Sequence, residues 1–245
     1  MHRFSKACLA GLATLLLAQT CLARPVLYAE STSAMVEYGA GDMKDAQLFY
    51  APEYYFSFGV GHMEIDAPGG GARHEITYAR VNYLAKRWNM EAAQANIFVW
   101  GGAGKAKVNL WVPAGSELPP PSQHNHDLNP TNTEGYWGLV EANGWNAGGQ
   151  IDYETRRIYA LLKTDAYRSE AFTMRSDVVQ FGIAPYEHDT NDLATFFVLS
   201  GTRHSGNAHD ESELALLVRL FKKRAWFEAG VTTEGDLRAS AMFSL

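Results

Sequence analysis

The residues of this chain best suited to chemistry are histidines set beside carboxylates. His124-Asn125-His126-Asp127 places two imidazoles and a carboxylate within four positions, and His204 and His209-Asp210 follow later in the chain. A His-x-His pair next to an acid is a ligand spacing for zinc, nickel or copper. The first group sits among Pro113, Pro119, Pro120, Pro121 and Pro130, in a segment 108–133 that reads as a long loop. His124, His126, Asp127, His204 and His209 are therefore metal-ligand candidates without a fixed partner set, and no cofactor is expected. Nucleophilic catalysis needs a base within reach of its nucleophile. His204 and Ser205 are adjacent instead, and a strand sends adjacent side chains to opposite faces. Gly69-Gly70-Gly71 has no helix after it to complete a phosphate cradle. No enzyme activity is expected.

A second set of polar residues is more systematic. Arg80, Asn82, Lys86, Gln94, Asn96, Glu141, Asn143, Asp152, Glu154, Arg156, Arg219, Glu228 and Arg238 fall on the polar side of the two-residue alternation, most of them between apolar or small neighbours. Five of them are cations and four are anions, a nearly neutral set. Two-residue alternation puts such residues on one face of a sheet. Facing one another across a narrow bore, they would form salt bridges that fix its shape, or line a path for small polar solutes.

The elements that must position them are strands. Alternation is clear over 53–66, 74–88, 92–107, 134–145, 149–163, 172–186, 192–204, 212–222, 225–232 and 236–245. Many of these runs reach ten residues or more, the length a tilted strand needs to cross a bilayer. The connections 89–91, 146–148 and 223–224 are short, whereas 67–73, 108–133, 164–171 and 205–211 are longer, and only 233–235 breaks the rule. Membrane barrels show that asymmetry, with short turns at one end and long loops at the other. Tyr54, Trp88, Trp145, Tyr186, Phe221 and Trp226 gather beside the short turns, and Trp100, Tyr136, Trp137 and Phe172 toward the opposite ends, as an aromatic girdle would. Residues 24–52 hold two more strand-like runs, 34–39 and 46–50, which add a hairpin or fold inside as a plug.

Composition agrees. Residues 1–23 read as a signal peptide, with Arg3 and Lys6 before an apolar run and Cys21-Leu22-Ala23 at the cleavage position. Both cysteines, Cys8 and Cys21, lie within it, so disulfides and thiolate metal sites are excluded beyond it. Lys plus Arg falls from 21 to 19 on its removal while Asp plus Glu stays at 27, which argues against a nucleic-acid partner. The expected fold is all-β: a closed antiparallel, transmembrane, up-and-down barrel of about 10–12 strands over 53–245, with 24–52 as strands or plug.

The terminal run 237–245 alternates Leu237, Ala239, Ala241, Phe243 and Leu245 with Arg238, Ser240 and Ser244. It resembles the C-terminal strand signal of Gram-negative outer-membrane β-barrel proteins, with the aromatic two positions before the end. Lys86-Arg87-Trp88-Asn89 and the segment 152–157 are similar to functionally uncharacterised, small porin-like barrels. The resemblance implies an outer-membrane location, lipid as solvent, and recognition of the last strand by the barrel-assembly machinery. The leading expectation is a narrow passive channel for small polar solutes. The alternative is a non-conducting structural or surface-interaction barrel that uses loop 108–133.

Overall fold

The computed structural model describes residues 29–39, 43–67, 71–113, 136–188 and 192–245. Period-two alternation resolves there into twelve strands: β1 (Ser31–Tyr38), β2 (Lys44–Glu53), β3 (Phe56–Asp66), β4 (Ala72–Asn89), β5 (Ala93–Val112), β6 (Tyr136–Thr155), β7 (Ile158–Ser169), β8 (Thr173–Ile183), β9 (Ala194–Gly206), β10 (Glu211–Lys222), β11 (Ala225–Thr232) and β12 (Leu237–Ser244). Each pairs antiparallel with its sequence neighbours, and β1 pairs with β12 to close the sheet. Across that seam Ser33 stands opposite Ser244 and Tyr38 opposite Ala239, and the two serine hydroxyls are 2.7 Å apart. The runs 34–39 and 46–50 are thus wall strands, and the count is twelve. Residues 1–23, and His124, His126 and Asp127, lie outside the described residues.

Alternation alone fits a soluble sandwich as well as a barrel; which face is buried separates them. Here Leu216 is 68 %, Val179 57 % and Phe197 56 % exposed on the outside, while Asn82, Asn96 and Ser200 are fully buried. A soluble sheet would reverse that assignment. Closure pairs the sheet's edges, as lipid requires. This is an outer-membrane-type β-barrel.

β1 begins and β12 ends at the end where β2 passes to β3, β4 to β5, β6 to β7, β8 to β9 and β10 to β11, here called the turn end. The opposite, loop end is where β5 ends and β6 begins. Tyr54, Tyr83, Trp88, Tyr153 and Tyr186 are exposed toward the turn end. The sequence reading placed Trp226, Phe221, Trp100 and Phe172 in the girdle as well. Trp226, Trp100 and Phe172 are buried inside the barrel instead, and Phe221 packs inward against an apolar cluster.

One hairpin sits elsewhere than expected. The predicted turn at 146–148 lies in the middle of β6, and the predicted loop 164–171 belongs mostly to β7. The chain reverses at Arg156-Arg157, where the Thr155 hydroxyl accepts the Arg157 and Ile158 N–H groups at 3.1 and 2.8 Å. The glycines that suggested a turn serve packing. A Cβ on Gly148 would collide with the Trp100 indole and the Thr164 carbonyl, so glycine makes room for a large ring inside the wall. Trp145 accordingly sits high on the outer face of β6, away from the turn end.

Wall height varies. β1, β11 and β12 have 8 residues each, whereas β5 and β6 have 20. A bilayer crossing takes about 9–11, so β4–β6 continue past it at the loop end. β6 loses β7 as a neighbour beyond the pair Gly144–Ser169 but stays paired with β5 up to Tyr136.

Candidate functional site

The lumen holds three charged groups, each tied to more than one strand. Arg80 (β4) donates to Gln47 (β2) at 2.6 Å, lies 3.7 Å from the Asp165 carboxylate (β7), and sits over the rings of Phe49, Tyr78 and Trp100. The Trp100 indole N–H donates to Asp165 at 3.0 Å, and Gln47 donates to Asp45. Arg219 (β10) donates to Glu228 (β11) at 2.7 Å and to Gln180 (β8) at 2.8 Å, with its guanidinium 4.1 Å from the Tyr159 ring centroid. Arg238 (β12) donates to Glu213 (β10), to Thr202 (β9) at 2.9 Å, and to Glu37 (β1) at 3.4 Å. Each of these three guanidinium groups faces a carboxylate and a neutral hydrogen-bond partner, which is what makes a buried ion pair tolerable; Arg80 Nε and Nη1 and Glu213 Oε2 are left without a hydrogen bond.

Apolar clusters fill the bore around and between these charged groups. Toward the loop end, Met63, Ile65, Ile76, Val108, Val140 and Phe172 belong to one cluster drawn from β3 to the β8 edge. The His74 ring meets Phe172 at 5.3 Å, and Tyr78 meets Tyr167 at 5.8 Å, contacts that reach across the bore. A second cluster, Tyr159, Phe196, Val198 and Leu217, packs around Arg219, and Leu84, Phe98 and Trp100 form a third on the turn-end side of Arg80. Among the charged groups is a cavity of about 110 Å³ lined by Arg80, Arg219, Arg238, Lys163 and Glu228 among others.

The long strands reverse their polarity partway along. In the lower part of β3–β6 the inner side chains are polar (Ser57, Asn82, Asn96, Asp152) and the outer ones apolar (Phe58, Val81, Val99, Ile151). In the upper part the inner ones are apolar (Met63, Ile76, Val108, Val140), and the outer ones are His62, Thr77, Lys107 and Glu141. Alternation carries through the reversal itself; the solvent outside changes from lipid to water, and the inside follows.

That reversal accounts for two of the four predicted lumenal residues found elsewhere. Glu141 and Asn143 were read as inward because their neighbours are apolar. Above the lipid the apolar face is the inner one, so both point out, and Glu141 meets Lys107 at 2.9 Å on the outer surface. Lys86 is outside because a bulge between Leu84 and Lys86 shifts the phase. Its ammonium lies 5.8 Å from the Trp88 ring, and Arg87 takes the inward position, donating to Asn96 at 2.8 Å. Arg156 is in the turn and exposed. Arg80, Asn82, Asn96, Asp152, Arg219, Glu228 and Arg238 are buried in the interior, and Gln94 and Glu154 face the same way, half-buried and opposite each other near the turn end. Sequence reasoning missed Asp45, Gln47, Asp165, Gln180 and Glu213. Asp45 and Gln47 alternate with Ala46 and Leu48 and were legible as a polar face; Asp165 was hidden by the misplaced hairpin.

His204 and His209 do come together, their rings 5.1 Å apart, both buried near the loop end, with His209 Nε2 3.1 Å from Glu211. Among the described residues no three of His, Cys, Asp and Glu are grouped to hold a metal ion. His204 points in and Ser205 points out, half-exposed.

No family model matches the chain, and no curated protein matches it in sequence. Among solved structures, the chain is similar to the β-domain of the Bordetella autotransporter BrkA, with a TM-score of 0.45 and 10 % identity over 87 % of this chain and 96 % of that one.

Proposed function

We propose that the protein is an outer-membrane barrel with a filled lumen, a membrane-anchored scaffold that presents the raised β4–β6 wall and its connecting segment to the cell exterior. The observation that carries this is that apolar clusters and paired charges together occupy the bore, leaving between them a cavity of about 110 Å³. In this reading the turn end faces the periplasm, β12 is the strand the assembly machinery recognises, lipid is the solvent of the lower wall, and no catalysis occurs. The second reading, a narrow channel for small polar solutes, draws on that polar cavity. Planar-bilayer recording of refolded protein separates them. The scaffold predicts no discrete conductance steps above bare lipid; reproducible steps would reject it in favour of the channel.

A further inference from the structure

We infer that the outer face of β5–β7 carries a binding site for a lipid with a phosphorylated headgroup, formed by Lys105 and Arg168 on either side of Trp145. The inference rests on the outer-membrane reading given above.

Four cations of the outer wall are paired with carboxylates. Arg73 holds Asp66 at 2.7 Å, Lys107 holds Glu141 at 2.9 Å, Arg175 holds Asp177 at 2.9 Å, and Arg203 holds Asp210. Each neutralises itself within the sheet. Lys105 and Arg168, exposed on the same surface, have no such partner among the described residues. They bracket one aromatic side chain. Trp145 stands directly opposite Arg168 on one side and Ala103 on the other, and Lys105 is the next outward residue of β5 beyond Ala103. Two strand spacings and a two-residue offset put the Lys105 and Arg168 backbones roughly 12 Å apart. Their side chains can close on one phosphate or take two phosphates of a single headgroup, in the bidentate manner that guanidinium favours.

Position decides what kind of phosphate. The trio lies on the line where the wall reverses polarity: Lys105, Asn143 and Thr77 are the first polar outward residues, and apolar ones begin with Trp145 and Ala79. An exposed tryptophan at such a border marks the headgroup level of a membrane. Directly below, Gly101, Ala103, Ala147, Gly149 and Ala166 present almost no side chain, while Val99, Ile151 and Leu162 bound them. A Cβ placed on Gly101 would meet nothing closer than 3.8 Å. This shallow, flat depression suits acyl chains lying against the wall, which a free phosphate lacks. Unpaired charge above and small apolar surface below therefore select a multiply acylated, phosphorylated lipid.

The test is native mass spectrometry of the full chain refolded in detergent and titrated with diphosphoryl lipid A, or with its dephosphorylated form. One lipid should remain bound to the wild type. The Lys105→Gln/Arg168→Gln variant should bind about tenfold more weakly, as expected when a charge-assisted contact is lost. Lys107→Gln, which changes a cation that already has a carboxylate, should bind as the wild type does. Equal affinity of the double variant and the wild type, or equal binding of the phosphate-free lipid, would overturn the site. Heat-modifiable electrophoretic mobility separates the two levels: a folded barrel that binds no lipid A removes the site alone, whereas a chain that folds in neither detergent nor lipid removes the barrel reading beneath it.

Discussion

The turn-end half of β4 buries Arg80 and Asn82 and turns Val81 and Tyr83 outward; its loop-end half buries Ile76 and Tyr78 and turns Glu75 and Thr77 outward. One strand, alternating without a break from Ala72 to Leu84, thus belongs to two kinds of sheet. In the first half the hydrophobic residues face lipid, and the interior is held by paired charge. In the second half burial of apolar surface does the holding, as in a protein dissolved in water. The comparison teaches that alternation reports the pleat, while the medium outside determines which face is which.

Three measurements test how sharp that division is. The largest effect is expected where charge holds the interior. Arg219→Ala strands Glu228 without its ion partner, and loss of one member of a buried pair costs about 3–5 kcal/mol. Denaturant unfolding from lipid vesicles should show that loss, and Arg219→Met/Glu228→Leu should recover most of it. A double variant as unstable as the single one would mean that the pair itself, and not the stranded charge, governs stability.

A smaller effect separates the outer faces. Val99→Arg places a charge against lipid at about 2–4 kcal/mol. Asn109→Arg, on the same strand and the same face but above the reversal, should change stability by no more than about 0.5 kcal/mol. Similar losses at both sites would erase the division. The gentlest probe reads position in place of stability. In single-tryptophan variants, a lipid-borne nitroxide should quench Trp88 and spare Trp111 and Trp137, whose rings meet at 5.7 Å at the top of the β5–β6 hairpin. Quenching of that upper pair would lower the exposed wall into the membrane.

Much of the fold was legible because a barrel wall repeats one simple pattern. The last three strands, β10 before the Lys223-Arg224 turn and β11 and β12 after it, lie close to where alternation put them. Three particulars were not legible. A glycine pair at 148–149 looks like a turn unless Trp100, some fifty residues earlier, is known to need the space. The bulge after Leu84 leaves no mark in composition, yet it exchanges Lys86 for Arg87 inside the bore. The polarity reversal cannot be read from β6 by itself, because an alternating segment does not state whether lipid or water lies outside it. Of the site, the arginines at 80, 219 and 238 were visible as isolated charges among apolar neighbours. Their partners Asp165 and Glu213 were not, since pairing across the bore depends on closure and register.

The uneven wall has a mechanical consequence. Strands of 8 residues at β11, β12 and β1 extend roughly 26 Å along their own axes, and tilt of about 40° reduces that to roughly 20 Å, less than the apolar band of about 25 Å usual in such barrels. On the opposite side β5 and β6 overshoot the same band. A bilayer meeting this collar is pinched beside the closing seam and runs at full thickness against the tall wall, so the lipid around the protein is graded from one flank to the other. Elastic cost of that kind gives the barrel a preferred side from which to approach a neighbour.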